Sequence, residues 1–140
     1  MMKIYDGTDM LLGRLASKVA KDALLGEEVN VVNCEKVIIS GRKTNTFSLE
    51  KQKRLRKGYP LKSAKHTRLS DRYVRRSIRG MLPWKQSRGK EAFKRIMCHV
   101  GIPEQFVGKE MLKVEGADAG KLPILKRVTV GEIMDHLKGK

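Results

Sequence analysis

Three histidines and two cysteines are the residues of this 140-residue chain best suited to acid–base, nucleophilic or metal chemistry. Their spacing does not assemble them. His66, His99 and His136 lie far apart, and none stands in the H-x-x-x-H or H-x-E setting that brings metal ligands together. Cys98 and His99 are adjacent, but neighbours on a helix point about 100° apart and cannot act as nucleophile and base. Cys34 and Cys98 lack any Cys-x-x-Cys partner and sit beside apolar residues, as reduced, buried thiols do. No G-x-x-x-x-G-K-[ST] or G-x-G-x-x-G loop is present to cradle a phosphate. The expectation is therefore a chain with no catalytic residue, no metal, no cofactor and no small-molecule substrate. The stretch G-R-L-A-S at residues 13–17 matches no catalytic signature. A glycine inside a helix costs up to about 1 kcal/mol against alanine. Close packing against a neighbouring backbone would explain Gly13, and so would close approach of a partner.

The remaining chemistry belongs to arginine. Residues 70–84 read S-D-R-Y-V-R-R-S-I-R-G-M-L-P-W, with four arginines in eight positions. Ser70 is placed to cap a helix, Asp71 suits its first turn, and Gly80 and Pro83 bracket its exit. At helical spacing Arg72, Arg75, Arg76 and Arg79 share an arc of roughly 100°, opposite Val74, Ile78 and Met81. Like charges one turn apart repel, and Asp71 is the only acid on this helix to neutralise them. Either the face is simply solvated, or an anionic partner relieves the repulsion.

The charge map favours a partner. The formal charge is +16, which points to a polyanion, nucleic acid before an anionic membrane. Residues 1–40 carry five Lys/Arg against six Asp/Glu, residues 101–140 seven against six, and residues 41–100 nineteen against three. The entire excess sits in the middle, as a binding surface rather than a solubility device. Forty per cent hydrophobic residues and this length fit one folded domain with a modest core. Neither a signal peptide nor an apolar run near the roughly 20 residues of a membrane span is visible, so an intracellular, soluble protein is expected.

The elements that must carry this surface read as follows. Residues 3–6 open a short strand, with Ile4 and Tyr5 on opposite faces. Thr8 or Asp9 can cap an amphipathic helix over residues 10–25, with Leu12, Leu15, Val19 and Ala23 on one side and Arg14, Lys18 and Lys21 on another. Residues 29–32 and 37–39 are apolar, β-branched runs, so the order is strand, helix, strand: a βαβ unit. Residues 40–46 read as loop and residues 49–57 as a very basic helix. Residues 58–69, punctuated by Gly and Pro, read as an extended arm or loop, and the arm over residues 56–69 is expected to fold on binding. Ser87 can cap a helix reaching about Val100, with Phe93, Ile96, Met97 and Val100 inward. Residues 127–130 suit a strand. Thr129 with Glu132 has the capping-box spacing for a last helix over residues 130–138. The predicted class is α/β: a single domain around a small, mostly parallel sheet, with a basic helical and extended insertion over residues 41–100.

Arginine grips phosphate bidentately and stacks on bases, which lysine cannot do. The few aromatics form no recognisable platform motif, and neither a zinc finger nor a base-reading helix-turn-helix is visible. A many-sided phosphate binder for folded RNA remains. Trp84 either stacks on a base or plugs the core between two helices, the core being favoured because buried aromatics are commoner.

L-L-G-R-L-A-S-K-V-A (11–20), V-V-N-C-E-K-V-I-I-S-G-R-K (31–43) and I-R-G-M-L-P-W-K-Q-S-R-G-K (78–90) together resemble the universal large-subunit ribosomal protein family thirteen ("L-thirteen"). The resemblance spans residues 4 to about 103 and looks most like archaeal members. It implies a three-layer α/β/α domain and a structural role on large-subunit ribosomal RNA, bound early in assembly, beside other ribosomal proteins in the cytoplasm. It implies no enzymatic activity and no membrane. It places Gly13, Arg14 and Leu15 and residues 33–36 in the domain and its RNA-facing rim. Gly41, Arg42 and Lys43 become a basic turn, and Arg79 an RNA contact, with Met81 and Leu82 in the core. With the charge map, the candidate RNA contacts are Arg14 and Lys18 on the first helix, and Arg42, Lys43, Arg54, Arg56 and Lys57 in and after the basic turn. Lys65, Arg68, Arg72, Arg75, Arg76 and Arg79 follow, then Lys85, Arg88 and Lys90. A regulatory protein acting on messenger RNA, or an RNA-processing enzyme, are the alternatives.

Overall fold

The computed structural model describes residues 1–56 and 66–138. Strand β1 (Met2–Asp6) leads into helix α1 (Leu12–Leu24), and β2 (Glu28–Val32) returns parallel to β1. This is the expected βαβ unit. A 3-10 turn (Cys34–Lys36) leads to β3 (Ile38–Ser40). Helices α2 (Lys43–Leu55), α3 (Ser70–Gly80) and α4 (Ser87–Lys94) follow, then β4 (Ile96–Cys98). Two further 3-10 turns precede β5 (Arg127–Thr129) and α5 (Val130–Lys138). The sheet order β1-β2-β4 is parallel throughout, and β3 pairs antiparallel with β5. The fold is thus α/β with a small, mostly parallel sheet.

Alternation along the strands sorts the core. Tyr5, Val29, Val31, Ile96 and Cys98 point to one face, against Leu15, Val19 and Ala23 of α1 and Val74 and Ile78 of α3. Ile4 and Val32 point to the other, where Phe106 and Met111 cover them. Backbone bonds between Asp6 and Leu112, and between Leu112 and Ile4, hold that covering segment beside β1.

Several local expectations are corrected. Thr8 and Asp9 do not cap α1, which begins at Leu12 with no side-chain cap. The Thr8 hydroxyl instead donates to the Asp6 carboxylate at 2.8 Å, and Asp9 takes a left-handed φ of 57°. Ser70 and Ser87 are the first residues of α3 and α4 and cap neither. Helix α2 begins at Lys43, inside the stretch read as loop. The helix expected to reach Val100 stops at Lys94. Ile96 and Cys98 pair with Val29 and Val31 as the third parallel strand. Met97 and Val100 are exposed in consequence, Met97 at 46 %. The capping box is formed: the Glu132 N–H donates to Thr129 Oγ1 and the Thr129 N–H to the Glu132 carboxylate, both at 3.2 Å.

Candidate nucleic-acid interface

The arginine row depends on α3 being amphipathic. Val74 and Ile78 are fully buried against α1 and the sheet, which turns the opposite face outward. Arg72 is exposed, and Arg75, Arg76 and Arg79 are half-buried. With Thr67 and Phe93 they line a cleft of about 530 Å³. Among the described residues no carboxylate pairs with Arg72, Arg75 or Arg79. Arg75 lies over the Phe93 ring, its guanidinium carbon 4.4 Å from the centroid, and donates to the Phe93 carbonyl at 3.4 Å. Arg79 lies over the Trp84 ring at 4.9 Å. Aromatic faces attract guanidinium without neutralising it, so Arg75 and Arg79 keep their charge.

Two residues read as core are not there. Trp84 is 39 % exposed and Met81 43 %, whereas Leu82 is buried as expected. The turn after α3 sends Leu82 inward and leaves its neighbours on the rim. Phe93, read as inward, is only partly buried and stands edge-on to Trp84, centroids 5.1 Å apart.

The other candidates divide by what they touch. Arg88, with Lys21, Ser17 and Met81, lines a groove of about 560 Å³ along the second half of α1. Arg42 and Lys126 line a cleft of about 490 Å³ together with Leu122 and Pro123. Arg56, Arg68, Lys85 and Lys90 are exposed. Four candidates are engaged within the chain. Arg14 donates to the Gly116 carbonyl and Arg54 to the Leu137 carbonyl. Lys18 pairs with Asp22 at 3.6 Å, and Lys43 with Glu132 at 3.0 Å. Lys57 and Lys65, with most of the predicted arm, lie outside the described residues.

These internal pairs have electrostatic consequences. The Lys43 hydrogen bond, against some burial, holds the Glu132 carboxyl below the usual carboxylate range, and the Thr129 N–H assists. Burial alone would raise Asp22, but the Tyr5 hydroxyl at 2.5 Å, Lys18 and Lys3 bring its carboxyl below the usual range. Cys34 and Cys98 are free and buried. The neighbouring Cys34 thiol and burial push the Cys98 thiol far up, the direction of an inert sulfur. His99 and Cys98, consecutive on or beside a strand, face opposite sides, so they cannot pair as nucleophile and base. Among the described residues no group of three His, Cys, Asp or Glu side chains could hold a metal, and no helix is long and apolar enough to cross a membrane.

Lys21, Lys126, Thr67 and Phe93 line or border these clefts and were not among the candidates, and Trp84, weighed as a base-stacking residue, was assigned to the core instead. Lys21 shares the Arg14 and Lys18 side of α1, so helical spacing could have included it. Lys126 had no signal, because residues 101–140 are nearly neutral.

Clefts lined by guanidinium, ammonium and aromatic groups on an α/β scaffold with a formal charge of +16 define a class: small, strongly basic α/β proteins. Comparison with known proteins gives the class its family. Residues 1–105 match the family model for ribosomal protein L13, and the chain belongs to that family. It is 41 % identical over 140 residues to the large ribosomal subunit protein uL13 of Methanococcoides burtonii, covering 99 % of each chain. The uL13 proteins of Methanopyrus kandleri and Methanococcus maripaludis are 43 % and 44 % identical, across 96 % and 99 % of this chain and 85 % and 99 % of theirs. The relatives are archaeal, as the sequence resemblance implied. The family is one of structural ribosomal components, not enzymes.

Proposed function

We propose that the protein is a structural constituent of the large ribosomal subunit in the cytoplasm. It binds ribosomal RNA beside neighbouring ribosomal proteins. The whole chain acts as one domain, with residues 41–100 as its RNA-binding region. The observation that carries this reading is the α3 cleft, where Arg72 is exposed and Arg75 and Arg79 lie over aromatic rings, with no carboxylate paired to these three among the described residues. The names of the relatives support the site of assembly. Mechanistically the protein is an electrostatic clamp. Its guanidinium groups displace counterions from crowded phosphates, so RNA segments that repel one another can lie together around it early in subunit assembly. Arg42, Arg68, Arg72, Arg76, Arg79 and Arg88 provide outward charge. Arg14, Lys18, Lys43 and Arg54 must hold the scaffold as well as any RNA.

The test is binding to large-subunit rRNA fragments against an unrelated RNA of equal length, across a salt series. Preference for particular fragments with a steep salt slope is expected. Arg68→Ala with Arg72→Ala should flatten that slope by roughly 1.4–1.8, since each phosphate contact contributes about 0.7–0.9. Stability should stay within about 0.5 kcal/mol. Equal affinity for both RNAs would leave only a generic basic protein, and an unchanged slope would remove α3 from the interface.

A further inference from the structure

Beside that cleft, joined to it through Arg79 and Phe93, stands a second kind of contact. Trp84 is the only tryptophan of the chain, and it is 39 % exposed within a cationic surface. Its position is held by the backbone on both sides. Leu82, two residues before it, is buried, the Trp84 N–H donates to the Leu82 carbonyl at 2.8 Å, and the Gln86 N–H to the Pro83 carbonyl at 3.0 Å. Gly89 of α4 packs so closely on that carbonyl that a Cβ would stand 2.2 Å from its oxygen. Phe93 braces the indole edge-on, at an interplanar angle of 89°. Arg79 lies over the indole and Arg75 over Phe93, which makes a continuous run of Arg79, Trp84, Phe93 and Arg75.

A rigid, half-exposed indole among arginines fits neither a core nor an apolar protein partner, because the surrounding charge opposes burial under apolar groups. It fits a ligand that is planar and apolar on its faces and anionic along its backbone. Paired bases in an A-form helix offer only edges and backbone, so the ligand must be an unpaired base from a bulge or loop. We infer that Trp84 and Arg79 form a stacking platform for one unpaired nucleobase of the bound RNA, with Arg72 and Arg76 facing its phosphates. A volume of about 530 Å³ in the adjoining cleft lies within the roughly 300–1,000 Å³ of sites that hold nucleotide-sized molecules. This inference rests on the RNA-binding reading above.

The single tryptophan makes it directly measurable. The full chain is titrated with the rRNA fragment it prefers, following Trp84 emission and, separately, the bound fraction by filter retention. Stacking should quench the emission in step with binding. Base–aromatic stacking energies correspond to a loss of roughly 5- to 150-fold in affinity on Trp84→Ala. That loss should be the same factor at every salt concentration, because stacking releases no counterions. Trp84→Phe should recover most of it, and Trp84→Leu, which keeps apolar bulk, should not. Retained binding with unchanged emission overturns the platform and leaves the clamp standing. So does Trp84→Leu binding as tightly as Trp84→Phe, which also covers the case of an Ala variant that folds poorly. Failure of the wild-type chain to be retained with any rRNA fragment overturns both readings.

Discussion

Gly89→Ala tests the scaffold beneath the aromatic pair. Gly89 is the third residue of α4, and an added Cβ would stand 2.2 Å from the Pro83 oxygen and 2.5 Å from its carbonyl carbon. Ordinary contact begins near 3.4 Å, so the overlap exceeds an ångström. Both clashing atoms are backbone, and no rotamer change relieves them. Either α4 or the Leu82–Trp84 turn must move. Overpacking of this kind costs typically about 1–3 kcal/mol, and a backbone clash belongs at the upper end. For a chain of this size about 3 kcal/mol lowers the melting temperature by about 10 °C. Gly80→Ala is the matched control. Gly80 ends α3 with nothing within 4 Å of the added carbon, and alanine there should stabilise by about 0.4–1 kcal/mol. Calorimetric melting of both variants decides the matter, with Trp84 emission reporting any displacement of the turn. A loss under about 2 °C for Gly89→Ala would refute the close approach. An equal loss for Gly80→Ala would mean that helix termini here require glycine for another reason.

Three further perturbations probe other parts. Gly13→Ala meets nothing within 4 Å, which removes the packing explanation for that glycine. The variant should melt higher by up to about 1 kcal/mol yet bind rRNA fragments more weakly, and unchanged binding would dissociate Gly13 from the interface. Asp22→Asn should cost about 1–3 kcal/mol at neutral pH, because Tyr5, Lys3 and Lys18 lose a charged acceptor. Since the folded carboxyl lies below its ordinary 3.8, its stabilisation is complete above that pH and is lost as pH falls through the folded value. Wild-type acid denaturation should therefore be steeper than the variant's, and parallel curves would contradict the assignment. Thr129→Ala removes the hydroxyl that accepts the Glu132 N–H and should cost about 0.5–2 kcal/mol in denaturant melts.

The elements readable from sequence were those in which local pattern and tertiary contact agree. α1 and α3 carry unbroken helical stripes, and Thr129 with Glu132 satisfies its own cap without help from the rest of the chain. The errors come where pairing partners override periodicity. Phe93, Ile96, Met97 and Val100 recur at helical spacing, yet Ile96 and Cys98 gain hydrogen-bonded partners in Val29 and Val31, and the ladder wins. The loop over residues 40–46 was misread for a related reason: α2 carries few core residues, so its start at Lys43 left no apolar periodicity to detect. At the interface, the arginine row was legible because one helix supplies it. The Arg79–Trp84 and Arg75–Phe93 contacts were not, because they join two helices across a turn whose direction no local pattern encodes.

The antiparallel pairing of β3 with β5 sets an order on synthesis. Arg127, opposite Ser40, follows it by 87 residues. At about 5–20 residues per second, β3 waits roughly 4–17 s for its partner. α5, whose Ile133 and Met134 complete the core, emerges later still. The basic middle of the chain is by then fully made, so its cations are in place before the last strand and helix can dock. A chain ending before Arg127 should accordingly lose its cooperative melt while keeping most of its charge. The closing strand and helix are therefore the last parts of the fold to arrive, after every residue of the basic region has been made.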